Sequence, residues 1–421
     1  MWRAFRFAAA RSVLPGCFQR LTRGVATGWP RKNGSRSEAI ARNKRILERK
    51  HVKEHLKMYE KEHWEMNDVN LTTLFVQLGK QAKQFSQSQL HRHPTFLNMC
   101  NDAANMIAGG CQVRAGPNIA HALAKLGADS EAVFTAVAGQ AARLAADGNP
   151  QNLSNTVWAF ATVGRSDAAV FAAVAGQAAR LAADGYPQAL SNTVWAFGIA
   201  GRLDCLHPRS LAHLWGSIAN TPPNEFSTEN LQQLQQGLIS LQFDPTLQTS
   251  VLPKPLMDAI LQADQQKSVT VSQSQRVMSN LLQDLWPHQL ELVVPVLISQ
   301  VPLCSLSLDA GCVSSKTGIE FHGPSHYIVC GTTECLERCT GVTACLDKKD
   351  LMLDVKGVPN GATRFKARVW RALGWRVQEI HYKDWNSVYK ARAKEQSAEF
   401  WELLTSNVRA LNRDIDVHES N

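Results

Sequence analysis

The sequence predicts a mainly α chain: an α-solenoid of helical hairpin repeats, followed by a small C-terminal α/β domain. Three observations predict it. Residues 129–165 and 166–202 align without a gap at a period of 37, with 28 identical positions. Glycine and proline punctuate each period as the ends of two helices require. From about residue 303 the apolar pattern changes from helical to short and strand-like.

Within one repeat, Asp129 or Ser130 can cap a first helix, with Phe134, Val137, Ala141 and Leu144 on one face. Gly148 ends that helix, and Pro150 prevents its continuation. Ser154 or Asn155 opens a second helix holding Val157, Trp158, Phe160 and Ala161, and Gly164 terminates it. Such a hairpin is too small to bury its own face, so neighbours must stack. Partial copies run from Asn118 to Gly127 and from Asn70 to Gly79, and a decayed one from Asn230 to Leu241. The solenoid is therefore expected over 68–300. Residues 303–392 form the α/β domain, with strands near 303–308, 318–321 and 376–380 and a helix over 363–373 closed by Gly374. A C-terminal helix and tail occupy 393–421.

The chain has a formal charge of +9 over 421 residues. Residues 1–37 hold eight basic residues and no acid, interleaved with apolar Trp2, Phe5, Phe7, Val13 and Leu14. That composition is an organellar transit peptide, expected over 1–26, and not a secretory signal, whose apolar core is longer. Removing Arg3, Arg6, Arg11, Arg20 and Arg23 leaves 9 − 5 = +4. The mitochondrial matrix is the expected compartment, with the plastid stroma as the alternative. Residues 27–67 are densely charged and read as a solvated helical linker. No run approaches the ~18–20 apolar residues of a membrane span.

The cysteines make no disulfide framework. Cys330, Cys335, Cys339 and Cys345 depart from paired zinc spacing and read as free thiols in an insertion. His51-Val-Lys-Glu54-His55 matches a zinc-protease string but lies on a helix charged all round, without a third ligand, and reads as chance.

One set of blocks carries a family likeness. Ile319-Glu-Phe-His-Gly-Pro-Ser-His326, Gly361-Ala-Thr-Arg-Phe-Lys-Ala-Arg368, Leu373-Gly-Trp-Arg-Val377 and Ile380-His-Tyr-Lys-Asp-Trp385 resemble, in order, the RAP domain. The Leu-Ser-Asn-Thr-Val-Trp-Ala-Phe helix resembles octotricopeptide or heptatricopeptide repeats, and the architecture is similar to that of FAST kinase domain-containing proteins. The sequence departs from the family at His322, where Asp is usual, and in the cysteine-rich insertion between His326 and Gly361.

The resemblance implies RNA binding in organellar post-transcriptional metabolism: RNA processing, mRNA stability or rRNA maturation. The expected partners are single-stranded organellar mRNA or rRNA and ribonucleoprotein-granule proteins. No cofactor is required for binding. Recurrent polar residues of the solenoid are its candidate contacts: Gln140 and Gln177, Arg143 and Arg180, Asn155 and Asn192, Arg165 and Arg202. Duplication copies structural residues equally, so Asn155 and Asn192 fit a helix-packing role as well. Trp158 and Trp195 read as core.

The RAP domain also resembles the PD-(D/E)XK nuclease fold. On that reading Asp309 and Glu320 are catalytic carboxylates holding Mg²⁺ or Mn²⁺, with His322 in place of the usual lysine. The chain would then be an endoribonuclease. If the fold serves binding alone, Glu320, His322, Ser325, His326, Lys366 and Arg368 are RNA-facing. A third reading, a protein-interaction scaffold, follows from the Ala-rich repeat surface.

Overall fold

The computed structural model describes residues 35–84, 87–243, 252–266, 276, 280, 291–298, 301–330, 357–383 and 385. The transit peptide, the insertion cysteines beyond Cys330 and the C-terminal helix lie outside the described residues.

The helices run α1 (Arg36–Glu48), α2 (Val52–Glu62), α3 (Asp68–Lys80), α4 (Gln87–His91), α5 (Pro94–Ala108) and α6 (Ala115–Lys125). The clear repeats supply α7 (Glu131–Ala138), α8 (Ala141–Asp147), α9 (Pro150–Thr162), α10 (Ala168–Ala175), α11 (Ala178–Asp184) and α12 (Pro187–Ala200). Then come α13 (Pro208–Asn220), α14 (Thr228–Gln242) and α15 (Lys254–Gln265). The strands are β1 (Ala128–Asp129), β2 (Glu291–Ile298), β3 (Val301–Cys312), β4 (Thr317–His322), β5 (Tyr327–Cys330), β6 (Val358–Pro359) and β7 (Arg376–His381), with α16 (Gly361–Ala372) before β7.

The repeats stack. α3, α6, α9, α12 and α14 pack in series, and they carry the five related segments recognised in the sequence. The core is repeated too: Phe134 meets Phe160 edge-on at 5.0 Å, and Phe171 meets Phe197 likewise at 5.1 Å. Each buried phenylalanine contributes about 1.5–3 kcal/mol of apolar burial.

Four boundaries differ from expectation, each for a local reason. The first helix of each repeat breaks at Gly139–Gln140 and Gly176–Gln177, where glycine weakens the helix. The second starts at Pro150, not at Ser154. Proline suits the first helical turn because no N–H is needed there, and Asn149 forms a capping box with Asn152. The charged segment is no solvated linker but a hairpin, α1 and α2, built into the stack. Its few apolar residues, including Ile46, Val52 and Leu56, are buried, and buried Arg42 pairs with Glu62 at 3.1 Å and Glu65 at 2.5 Å. Finally, residues 291–298, expected within the solenoid, form β2. Its register against β3 shifts between Val294 and Val296, where Pro295 has no N–H to give the ladder.

The His51–His55 string is structural. Both ring nitrogens of buried His55 lie 3.1 Å from main-chain carbonyls, those of His51 and Ile46.

β2-β3-β4-β7 form one sheet in that order, with β4 and β7 parallel. A second small sheet joins the two halves of the molecule: β1, from the first clear repeat, pairs in parallel with β5, which pairs with β6.

α16 lies against α12 and α9. Gly361 approaches so closely that a Cβ there would fall 1.8 Å from the Ala161 carbonyl oxygen. The Arg364 guanidinium donates to the Gly164 carbonyl at 3.0 Å, and Arg368 donates to those of Gly198 and Ile199 at 3.0 and 2.7 Å. These carbonyls lie at helix C-termini, where the regular helical donors run out; that of Gly198 also accepts the Gly201 N–H at 3.1 Å. Gly164 (φ +78°) and Gly201 (φ +66°) end those helices in the left-handed conformation that glycine permits.

Candidate functional site

The alternation of a strand puts Glu320 and His322 on one face of β4. The parallel register sets Glu320 beside Glu379 and His322 beside His381 on β7. Glu-x-His therefore occurs twice, in register. The second copy was visible in the sequence as Glu379-Ile-His381 and is the signal missed there. All six residues of β4 are buried, so this polar face is covered.

Three elements converge on it. α16 contributes Lys366, whose ammonium donates to Glu320 Oε1, and Thr363. The turn after β4 contributes His326, whose Nδ1 lies 3.3 Å from His322 Nδ1 and 3.3 Å from the Thr363 hydroxyl. β5 contributes Tyr327, whose ring sits 4.3 Å from that of His381. His322 Nε2 is 3.6 Å from Glu379 Oε2, an ion-pair distance outside hydrogen-bonding geometry.

The electrostatics follow from burial. Glu320 is 4% exposed, and desolvation holds its carboxyl above the usual range despite Lys366. Its second oxygen is buried without a partner. Desolvation, with His322 and Lys366 nearby, pushes His326 down to about 4, so it is neutral at pH 7. His322 beside Glu379 draws that carboxyl below its ordinary value.

Asp309 takes a different role. Main-chain pairing of β3 with β4 runs from Cys312 to Ala310, and beyond it the Asp309 carboxylate accepts the Phe321 N–H at 2.7 Å. A nuclease metal would need this carboxylate and Glu320 together. One oxygen of Asp309 is engaged with the main chain and one of Glu320 with Lys366. Among the described residues, no three His, Cys, Asp or Glu side chains are grouped to hold a metal ion. Asp309 and Glu320 therefore do not form an assembled Mg²⁺ or Mn²⁺ site among the described residues.

Residues 319–398 match the RAP domain family. The chain carries a RAP domain. The match begins inside β4, so β2 and β3 precede it. No curated protein matches the chain significantly. The RAP domain is associated with RNA binding, and here it sits on a helical-repeat stack. No helix among the described residues is long and apolar enough to cross a membrane.

The remaining sequence candidates scatter. Ser325 is exposed, and its main-chain carbonyl accepts from Asn360 at 2.9 Å. Arg368 is turned from solvent toward the α12 carbonyls. Arg165 bridges Asp129 and Glu131 at 2.6 Å each and lies over the Phe134 ring. Arg180 donates to the Ala145 and Ala146 carbonyls at the end of α8, at 2.7 and 3.3 Å. Arg202 contacts Cys205 and Asp204, both at 3.1 Å. Arg143 approaches Asp147 at 3.9 Å. Gln140 and Gln177 sit at the N-caps of α8 and α11 without a side-chain cap bond. Asn155 and Asn192 are buried inside α9 and α12. The glutamines and asparagines thus lie on different helix layers and do not form one row.

Trp158 and Trp195 do line up. Their rings stack at 6.1 Å, His121 continues the line at 4.8 Å from Trp158, and Trp195 Nε1 donates to Gln236 at 2.7 Å. Each planar group is covered by the next, which makes this ladder a packing device between successive helices.

Proposed function

We propose that the protein is a non-catalytic single-stranded RNA-binding factor of an organelle, acting in RNA processing, mRNA stability or rRNA maturation. The observation that carries the reading is the RAP domain match at residues 319–398, seated on a helical-repeat stack. The acid-free basic leader supports the mitochondrial matrix as its compartment. Ribonucleoprotein-granule proteins are the expected protein partners. The engaged carboxylates of Asp309 and Glu320 favour binding over hydrolysis.

The test is titration of the protein, without its first 26 residues, against single-stranded RNA over a salt series. Cleavage of the same RNA is followed with Mn²⁺, with Glu320→Ala as control. Binding that weakens steeply with salt, without Glu320-dependent cleavage, is the expected result. Cleavage lost in Glu320→Ala makes the protein an endoribonuclease. Absence of binding at low salt leaves the scaffold reading.

A further inference from the structure

We propose that the arginine stripe of α16, exposed Arg364 and Arg371 with Arg368 between them, is a contact surface for the phosphate backbone of single-stranded RNA. It lies where the RAP domain meets the repeats. The proposal rests on the RNA-binding reading and adds where the strand is held, and that it is held there without regard to sequence.

α16 reads Gly-Ala-Thr-Arg-Phe-Lys-Ala-Arg-Val-Trp-Arg-Ala, four cations and no acid. Positions 364, 368 and 371 are neighbours on one face of a helix. Phe365, Val369 and Trp370 turn its other side into the core. Arg364 and Arg371 are exposed, and Arg368 is half-buried. The remaining exposed positions of the helix are Ala362 and Ala372, so no bulky side chain of α16 screens the guanidiniums.

The charge of this face is not balanced by carboxylates. Lys366 has Glu320, but the three arginines form no ion pair among the described residues. Their bonds go to neutral carbonyls: Arg364 to Pro359 and Gly164, Arg368 to Gly198 and Ile199. Glu379 is within electrostatic reach of Arg371, yet it is His322 that stands beside it, at 3.6 Å. On the repeat side of the seam, Asp204 pairs with Arg202 at 3.1 Å, and Asp129 and Glu131 pair with Arg165 at 2.6 Å each. Burial, with Arg364 and Arg371 close by, holds the Arg368 guanidinium below the ordinary arginine value. Like charges one turn apart repel. An anion from outside relieves that repulsion, and the guanidinium fork matches a phosphate. A protein partner or a membrane would engage aromatic or aliphatic anchors, and the exposed positions of this helix carry none.

The test uses the full chain and reads the salt dependence of binding. Fluorescent oligo(U), oligo(C) and oligo(A) are titrated by anisotropy over a salt series, with poly-glutamate as a second polyanion. Arg371→Gln carries the test, because the Arg371 side chain makes no hydrogen bond or ion pair among the described residues and its urea midpoint should match the wild type. Arg364→Gln and the double variant extend it, and Lys57→Gln, an exposed lysine on α2 away from the seam, is the control. Each arginine removed is expected to flatten the slope of log K against log [salt] by about 0.7, and the pair by about 1.4, alike for the three oligonucleotides. Lys57→Gln leaves the slope unchanged. Salt-sensitive wild-type binding whose slope persists in Arg371→Gln and in the double variant overturns the stripe and leaves RNA binding standing. An equal flattening in Lys57→Gln overturns it in favour of overall charge. Loss of poly-glutamate binding without loss of RNA binding overturns it in favour of an acidic protein. No RNA bound by the wild type overturns the functional reading, and this inference with it.

Discussion

Arg368 donates to the carbonyl of Ile199 at 2.7 Å, so a side chain of the RAP domain closes the C-terminus of a repeat helix. Four residues earlier on the same helix, Arg364 does the same for the preceding repeat. Two arginines one turn apart on α16 thus contact two repeats 37 residues apart. Replacing either should loosen the domain from the stack. For Arg368→Ala we expect a loss of about 1–3 kcal/mol in urea unfolding, from the two charge-assisted bonds removed. Arg368→Lys recovers only part of this, because an ammonium lacks the guanidinium fork. Unchanged stability in both would refute the clasp.

Gly361→Ala should be the most damaging small substitution in the interface. Its Cβ would meet the Ala161 carbonyl oxygen at 1.8 Å and Ile199 at 2.9 Å. The α16 N-terminus must then move off α9, at a cost of about 1–3 kcal/mol or more. Hydrogen exchange should report it as faster exchange along α16 and the ends of α9 and α12.

The Lys366–Glu320 pair predicts a non-additive cycle. Breaking a buried pair strands one charge, so Glu320→Gln and Lys366→Met should each cost about 3–5 kcal/mol at most, discounted because Lys366 is partly solvated. The double variant should cost much less than the sum. Additive losses in urea titrations would mean that the two groups do not act as a pair.

Acid sensitivity follows from three histidines. Burial pushes His91, His121 and His326 down to about 4 from an ordinary 6.5. Between those values the unfolded chain binds more protons, so stability rises with pH and falls on acidification from about 6.5 toward 4. The limit is roughly 3 kcal/mol per histidine. Glu320, held high by burial, acts in the opposite sense, since its ionisation costs more in the folded state. Urea midpoints at pH 7, 6 and 5 should fall in that order, and His326→Gln should flatten the dependence.

Arg165 is expected to be structural. With Asp129, Glu131 and Phe134 as its partners, Arg165→Ala should lower the unfolding temperature without changing the salt slope of RNA binding.

The repeat and the RAP blocks were legible because both are local: a 37-residue period and ordered motifs survive in one dimension. The five stacked helices α3, α6, α9, α12 and α14 follow from that period alone. What the sequence withheld was contact between distant segments. The arginines recurring at 143, 165, 180 and 202 look like a binding row. Recurrence does not reveal that Arg165 faces acids from its own repeat or that Arg180 reaches the end of α8, the corresponding helix one repeat earlier. The charge density of residues 38–66 concealed a buried Arg42, since ion pairing can satisfy a guanidinium inside a fold.

A stack of hairpins is by nature a spring, each joint adding a little twist and give. Here one stretch of the spring is splinted. β5 is laid beside β1, just after the end of α6, and α16 bolts the ends of α9 to α12. The pitch between those two repeats is therefore set by the rise of a single helical turn on α16. Bending on engagement with a curved ligand is left to the joints on either side, between α3 and α6 and between α12 and α14.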